Sequence, residues 1–260
     1  MSHATSLIIA TRPEPEVLLL TLNRPAQRNA LNCELLRQVA ARLVEVQNDV
    51  TVRCVVVTGG DRVFSAGADI KEMLADGFAA IDNHARRIAW RTIERFPKPM
   101  IAAVRGICFG GGLEFAMLSD IIIAAESAIF GQPEITIGII PGDGATQRLT
   151  RVVGKALAMK MILSGQSIGG REAYHAGLVA ETLPDVQVLE RALALAKTIS
   201  SRAPLAAQLA KESILAAYDT TLTTGLEVER RAIRYAFTTE DQKEGMAAFV
   251  EKRPAVFKGC

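Results

Sequence analysis

Residues 100–118 read MIAAVRGICFGGGLEFAML and contain the pattern that decides the fold. The apolar run 100–104 predicts a strand, and the glycines Gly110, Gly111 and Gly112 lead into a segment that predicts a short helix over 111–118. Glycines let a ligand approach the backbone closely, and the first N–H groups of a helix have no partner within the helix. The turn therefore predicts a site for an anion, or for an oxygen that becomes negative during a reaction.

The alternation of strand and helix continues on both sides of this stretch. Runs over 17–22, 54–58 and 121–124 are apolar throughout rather than alternating, which is typical of a parallel sheet covered on both faces. Asn32 predicts the cap of a helix that ends near Gln47, and residues 69–95 are mostly helical in pattern. Because parallel strands need right-handed crossovers, we expect an α/β fold in which strands and helices wind as a spiral.

The second half of the chain is almost entirely helical in pattern. More helices are predicted there than the sheet needs for cover, so we expect an oligomer interface. The predicted helices cover 155–163, 171–176, 186–200, 204–218, 221–237 and 241–251.

Composition excludes several classes of protein. Of 260 residues, 49% are hydrophobic and 22% charged, which excludes a disordered chain, and no apolar run approaches the length of a membrane span. The net charge of +2 provides no overall field for nucleic acid. The four cysteines form no CxxC pair and favour a reducing compartment. The N-terminus does not read as a signal peptide, so we expect a cytoplasmic protein.

Two carboxylates are candidate acid/base groups. Glu114 lies one turn into the glycine-led helix among apolar residues, and Glu134 follows after one further strand and turn. Two carboxylates that face one pocket can work as a general acid/base pair, because repulsion and desolvation raise one pKa. From the residues alone, a surface position or a salt bridge is the more common explanation for each glutamate. The backbone N–H of Ala68, after the second strand, is a further candidate donor.

Three other patterns in the sequence do not predict a further functional site. The stretch 165–169 fits the GxSxG pattern of serine hydrolases, but no Asp lies between Ser167 and His175, the one downstream histidine, so the triad order fails. The histidines are scattered, which argues against a metal site. We interpret the arginine stripe on the helix before Pro97 as a solvated or subunit-facing surface. It contains Arg86, Arg87, Arg91 and Arg95.

Six motifs in this order resemble the crotonase, or enoyl-CoA hydratase/isomerase, family, and within it most closely the enoyl-CoA hydratases. The resemblance covers nearly the whole chain. The motifs are LNRP at 22–25 with RNAL at 28–31, FSAGADIKEM at 64–73, GGGLE at 110–114, FGQPEI at 130–135 with GIIPG at 138–142, TQRL at 146–149, and EGMAAFVEKR at 244–253.

The resemblance implies a ββα spiral catalytic core over 1–195 and a helical trimerisation region over 196–260. It implies a homo-oligomer, a trimer or a dimer of trimers. The activity it implies is syn addition of water across the 2,3 double bond of a trans-2-enoyl-CoA, as in fatty acid β-oxidation, with no metal or other cofactor because coenzyme A is part of the substrate. We expect neither nucleic acid nor a membrane as partner.

The resemblance also assigns roles to residues. The N–H groups of Ala68 and Gly111 would form an oxyanion hole, Glu114 would activate the water, and Glu134 would deliver a proton to C2. The remaining matched positions are expected to bind the acyl-CoA, the last two of them in a neighbouring subunit. They are Arg28, Ala30, Ala68, Asp69, Ile70, Lys71, Gly142, Phe249 and Lys252.

One stretch departs from the family pattern and leaves alternatives open. Simple hydratases read PGAGGTQRL where residues 141–149 read PGDGATQRL, so Asp143 adds a third acid and Ala145 replaces a glycine. Asp143 leaves the exact substrate undecided. A double-bond isomerase of the same fold is the alternative activity, and an RNA-binding or scaffold role is a further one. Neither acyl chain length nor pathway follows from the sequence.

Overall fold

The computed structural model describes residues 6–260, and His3 lies outside them. Strands within this range form a six-stranded sheet in the order β1-β2-β3-β5-β7-β10 and a four-stranded sheet in the order β4-β6-β8-β9. The strands are β1 Ile8–Glu14, β2 Val17–Leu22, β3 Cys54–Thr58, β4 Val63–Ser65, β5 Met100–Val104, β6 Ile107–Phe109, β7 Ile121–Ala125, β8 Ile129–Gly131, β9 Ile168–Gly169 and β10 Glu181–Leu183.

The large sheet confirms the prediction of a covered parallel sheet. Strands β2, β3, β5, β7 and β10 pair in parallel, and every residue of β3 and β5 is buried. Strand β1, which the sequence analysis missed, pairs antiparallel with β2 at the edge. Its side chains are mostly exposed, so it lacks the apolar run that identified its neighbours.

The small sheet explains the spiral. Each of three successive turns of the chain places one strand in the large sheet and the next in the small sheet: β3 then β4, β5 then β6, β7 then β8. A helix or helical turn follows each pair, so the ββα repeat predicted for the core is present. In the small sheet β4, β6 and β8 run parallel, and β9 closes the edge antiparallel to β8.

The helices mostly follow the predicted pattern. Asn32 caps α1 by accepting from Leu35 N at 2.9 Å, as predicted. The helix expected over 155–163 begins earlier, at Ala145, and is interrupted at Gly154, whose φ of 78° is not helical. The helices are α1 Cys33–Gln47, α2 Ile70–Asp76, α3 Phe78–Ile81, α4 His84–Glu94, α5 Gly111–Ala116, α6 Ala145–Ser164, α7 Gly170–His175, α8 Val188–Ser200, α9 Pro204–Asp219, α10 Leu222–Ala236 and α11 Glu240–Glu251.

Helix α8 covers the large sheet through one buried stripe. Val188, Ala192 and Ala196 are fully buried and belong to the same core as β3 and β5. The boundary predicted between residues 195 and 196 falls inside this continuous helix, and the next helix begins at Pro204. A helical C-terminal region follows, as predicted. In the range 6–260 we find no helix that is both long and apolar enough to span a membrane.

Candidate active site

The parallel strands of the small sheet assemble the site. Because β4, β6 and β8 run in the same direction as neighbours, the chain leaves all three at one edge. Ala68 follows β4, Gly111 follows β6, and Glu134 follows β8 in the helical turn Pro133–Ile137. Segments that are far apart in sequence therefore meet at this edge.

The turns that carry Ala68 and Gly111 are in contact. A Cβ atom added to Gly111 would lie 3.3 Å from the backbone nitrogen of Ala68. Both flanking neighbours of Ala68 are bonded to Leu31: Gly67 O accepts from Leu31 N at 2.7 Å, and Asp69 N donates to Leu31 O at 3.1 Å. This bridge directs the Ala68 N–H away from Leu31, and no backbone acceptor within 6–260 takes it or that of Gly111. Two N–H groups that have no acceptor among the described residues thus lie close together, an arrangement that suits an oxygen that gains negative charge.

At each of Gly110, Gly111 and Gly112, the absence of a side chain lets another segment lie close to the backbone. A side chain at Gly112 would lie 2.7 Å from Cβ and O of Ser65, and one at Gly110 would lie 2.9 Å from Oε1 of Glu134. Gly110 also has a φ of 50°, which L residues rarely adopt. The triple glycine therefore lets helix α5 begin directly against the neighbouring turn and against a carboxylate.

Residues 28–31 are joined to the Ala68 turn. Ala66 N donates to Arg28 O at 3.0 Å, and the Arg24 side chain pairs with Asp69 at 3.0 Å. Arg24 also donates to Ala30 O. The two segments that the motifs assigned to the acyl-CoA site are thus adjacent, and the Arg24–Asp69 pair, which sequence analysis missed, connects them.

Glu114 is buried and firmly held. Only 2% of its surface is exposed, and its Oε1 accepts from Asp143 N at 2.8 Å and from Ala145 N at 2.9 Å. Desolvation raises its pKa from 4.5 to about 7, opposed by the hydrogen bond from Ala145 and supported by the charge of Asp143. A carboxylate with such a pKa exchanges protons readily near neutral pH.

Glu134 lies beside Gly110 and is half-buried. With the Gln132 amide oriented to donate, its nitrogen is 2.9 and 3.0 Å from the two carboxylate oxygens. Burial raises the pKa of Glu134, and the charge of Asp143 adds to the effect. Glu134 contributes in turn to the raised pKa of Glu114, so the two carboxyls share one electrostatic environment. Gln132 is fully buried, and no sequence pattern had singled it out.

Asp143 is not a free third acid. Its carboxylate forms two hydrogen bonds with the Arg86 guanidinium, Nη1 to Oδ1 at 2.8 Å and Nη2 to Oδ2. Arg86 was predicted to lie on a solvated or subunit-facing stripe, and for this residue the prediction is wrong because only 15% of its side chain is exposed. Arg87 fits the stripe, since 60% of its side chain is exposed.

The other predicted binding residues lie around or away from this edge. Asp69 caps α2, which begins with the exposed Ile70 and Lys71, and the exposed Gly142 directly precedes Asp143. Phe249 is exposed near the end of α11, and Lys252 follows that helix with a φ of 55°. Within the described residues, no hydrogen bond connects Phe249 or Lys252 to the Ala68 or Gly111 turn, so their assignment to a neighbouring subunit's site stays a prediction.

Comparisons with known proteins agree with the motifs. The family model described as enoyl-CoA hydratase/isomerase matches residues 13–260. The chain is 47% identical to 2,3-dehydroadipyl-CoA hydratase of Escherichia coli K12 over 254 residues, which cover 98% of this chain and 99% of that protein. It is 47% identical to the mitochondrial enoyl-CoA hydratase of Pongo abelii over 240 residues, 92% of this chain and 83% of that one.

A solved structure extends the agreement to the fold. The crystal structure of enoyl-CoA hydratase from Bacillus anthracis matches with a TM-score of 0.94 at 38% identity, and the match covers 98% of this chain and all of the other. Sequence motifs, family model and three-dimensional fold all span nearly the full length. The protein is therefore a member of the crotonase, or enoyl-CoA hydratase/isomerase, family of enzymes.

Proposed function

We propose that this chain is a hydro-lyase that adds water syn across the 2,3 double bond of a trans-2-enoyl-CoA to give a 3-hydroxyacyl-CoA. The observation that carries the proposal is the meeting of four groups at one sheet edge: the N–H donors of Ala68 and Gly111, and the carboxyls of Glu114 and Glu134. Hydration of a conjugated thioester needs such a set, because charge builds on the carbonyl oxygen while protons move at C2 and C3.

In the proposed mechanism the thioester oxygen accepts from both N–H groups. Glu114 removes a proton from water while the water oxygen bonds to C3, the 2,3 π electrons move toward C2, and the thioester oxygen takes on enolate charge. Glu134 then supplies a proton to C2, and the proton taken up by Glu114 returns to Glu134 through solvent before the next turnover, so the atoms of one water molecule are added overall. By analogy with other oxyanion holes, losing one preorganised donor costs roughly 3–4 kcal/mol of transition-state stabilisation.

Burial raises the pKa of both carboxyls, which makes each a better proton carrier near neutral pH than an exposed glutamate; the roles of base and acid are assigned from the family resemblance. A buried Glu114 with a pKa of about 7 is a stronger base than an exposed glutamate, and it is largely ionised above that pH. The raised pKa of Glu134 keeps a larger fraction of that carboxyl protonated than on an exposed side chain. The proposed reaction needs no metal or redox cofactor, since coenzyme A enters as part of the substrate.

Substrate binding in this proposal uses the surface around the hole. Arg28, Ala30 and the segment Ala68–Lys71 line the path of the coenzyme A moiety. Phe249 and Lys252 serve the site of a neighbouring copy in a homo-oligomer. Helices α9 and α10 support such an assembly, because they have no buried residues in the single chain and expose large apolar side chains. These include Ile214, Leu215, Tyr218, Leu226, Ile233 and Tyr235.

The test is an assay with crotonyl-CoA that follows loss of the conjugated thioester absorbance. We expect turnover by the wild type and losses of about 10²–10⁴ in kcat for Glu114→Gln and for Glu134→Gln. Glu190→Gln, at an exposed position on α8, is the control. No turnover across short, medium and dicarboxylic enoyl-CoAs would contradict the proposal; the dicarboxylic arm is included because of the Escherichia coli relative's name.

The same variants separate hydration from double-bond isomerisation. An isomerase moves one proton and needs a single base, so Glu114→Gln would leave much of that activity if Glu134 alone carried it. The structure gives Asp143 no role as a spare base, because Arg86 occupies both of its carboxylate oxygens. Product analysis with 3-enoyl-CoA alongside 2-enoyl-CoA identifies the reaction directly.

A further inference from the structure

The Glu114 carboxylate is held by a loop that is itself held by helix α4. The N–H groups that reach Glu114 belong to Asp143 and Ala145, on either side of Gly144. The side chain of Asp143 turns away from Glu114 to meet Arg86, which lies 57 residues earlier in the chain. One residue thus contacts Glu114 through its backbone and α4 through its carboxylate.

Aromatic packing fixes the other side of Arg86. Its guanidinium lies over the Trp90 ring at 5.7 Å from the centroid, and Trp90 packs edge-on against Phe115 at 6.4 Å. Phe115 is the next residue after Glu114 on α5, so Arg86 is connected to Glu114 both through Asp143 and through Trp90. A planar guanidinium clamped between a carboxylate and a ring has little freedom to move.

A second arginine strengthens the attachment of the loop. Arg148, on α6, donates to the Asp143 carbonyl oxygen at 2.9 Å and pairs with Glu94 on α4. The loop is therefore tied to α4 at both the side chain and the carbonyl of Asp143. Because simple hydratases have alanine in place of Asp143, their motif lacks this carboxylate.

We propose that Arg86 and Asp143 act together as a positioning pair for Glu114: the pair holds the N–H donors of Asp143 and Ala145 in place, and Arg86 offsets part of the Asp143 charge beside the base. The inference rests on the proposed function of Glu114. It makes Arg86 a positioning residue, since its guanidinium contacts Asp143 and not the reacting atoms.

The charges around Glu114 determine the expected signs. Asp143 and Glu134 are the acids whose charges raise its pKa; Arg86 and Arg148 are the cations bound to Asp143, and Glu94 is the partner of Arg148. Removing the Arg86 charge takes away the partial offset of the Asp143 charge and raises the Glu114 pKa further. Removing the Asp143 charge leaves Arg86 uncompensated and lowers it.

The experiment is the pH profile of kcat/KM for crotonyl-CoA in a set of full-length variants. We expect Arg86→Gln to move the acidic limb to higher pH and Asp143→Asn to move it to lower pH, each by on the order of one unit. The double variant should return close to wild type, and Arg86→Lys should stay close to it because the charge is kept. Arg87→Gln, on the same helix with an exposed pair to Asp82, is the matched control and should not move the limb.

A purely structural pair gives a different result: both variants would lose activity, with the limb unmoved or moved the same way, and that outcome overturns the proposal.

The Glu114 titration is also followed by ¹³C NMR of labelled glutamate, assigned by its loss in Glu114→Gln. This readout does not depend on hydration. If Arg86→Gln fails to fold, Asp143→Asn still tests the sign, and Arg86→Lys is its charge-preserving reference. If Glu114→Gln keeps full hydratase activity, the proposed function fails, whereas opposite NMR shifts would still support the pair.

Discussion

The backbone nitrogen of Ala68 lies 3.3 Å from the point that a Cβ atom on Gly111 would occupy. These two residues are 43 positions apart, and they meet because β4 and β6 are parallel neighbours. A methyl group at position 111 would stand beside the Ala68 N–H, where the proposed mechanism places the thioester oxygen.

Gly111→Ala should therefore lower kcat by about 10²–10³, the effect of losing one oxyanion donor. The backbone of Gly111 is compatible with alanine because its φ is not positive, but the contact of 3.3 Å requires the Ala68 turn to shift by a few tenths of an ångström. Steady-state kinetics and thermal unfolding check this together. Gly169→Ala is the control, because nothing lies within 4 Å of a Cβ there. Full activity in Gly111→Ala would show that the methyl group does not obstruct the thioester oxygen, and would contradict its placement beside the Ala68 N–H.

Glu114 should make stability depend on pH. Its pKa is about 7 in the folded chain against an ordinary 4.5, so the folded state keeps a proton that the unfolded state has released. The stabilisation is complete below about pH 4.5 and is lost as pH rises to about 7. Between pH 4.5 and pH 8 the free energy of unfolding of the wild type should therefore fall by roughly 3 kcal/mol relative to that of Glu114→Gln.

Urea unfolding at fixed protein concentration across this pH range measures the difference between the two proteins. Glu190→Gln, changed at an exposed site on α8, should follow the wild type throughout. If the difference in free energy of unfolding between Glu114→Gln and the wild type stays constant with pH, ionisation of the buried Glu114 carboxyl does not destabilise the fold.

Lys98 should matter for stability and not for catalysis. Its buried ammonium donates to the carbonyls of Val46, Asp49 and Val52 at 2.7–2.8 Å, just where α1 ends. Lys98→Met removes three donors and should cost roughly 2–4 kcal/mol of unfolding free energy. The kcat of the folded variant should match the wild type. Exposed Lys243→Met is the comparison, and equal stability of the two variants would contradict the role assigned to Lys98.

Arg24 should act on the site from a distance. It joins Asp69 and Ala30 O, and so keeps residues 28–31 against the Ala68 turn. Arg24→Gln should reduce kcat/KM by on the order of tenfold to a hundredfold, because small displacements of binding and catalytic groups are costly. Arg12→Gln breaks an ion pair of similar length to Asp49 in a more exposed place and should have no such effect. Equal kinetics in both variants would refute the link.

The continuous apolar runs, the Asn32 cap and the glycine-led helix were predictable because their signals are local. A strand buried on both faces must be apolar at every position, as in β3 and β5, and a cap needs an acceptor just before the helix. The short strands of the small sheet were not predicted. At two or three residues, β4, β6, β8 and β9 are too short to show a period.

The sequence by itself determined the family, the covered sheet and the identity of the two glutamates, since each is written in a contiguous motif. Only the tertiary structure decided which charges meet. Arg86 belongs by local pattern to an exposed stripe, and Asp143 has the form of a spare acid, yet the fold places them against each other and beside Glu114. Helix periodicity predicts only which face of α4 is exposed when that helix is considered alone. Arg86 is mostly buried because a loop 57 residues later in the chain packs against it, and such long-range packing leaves no local pattern.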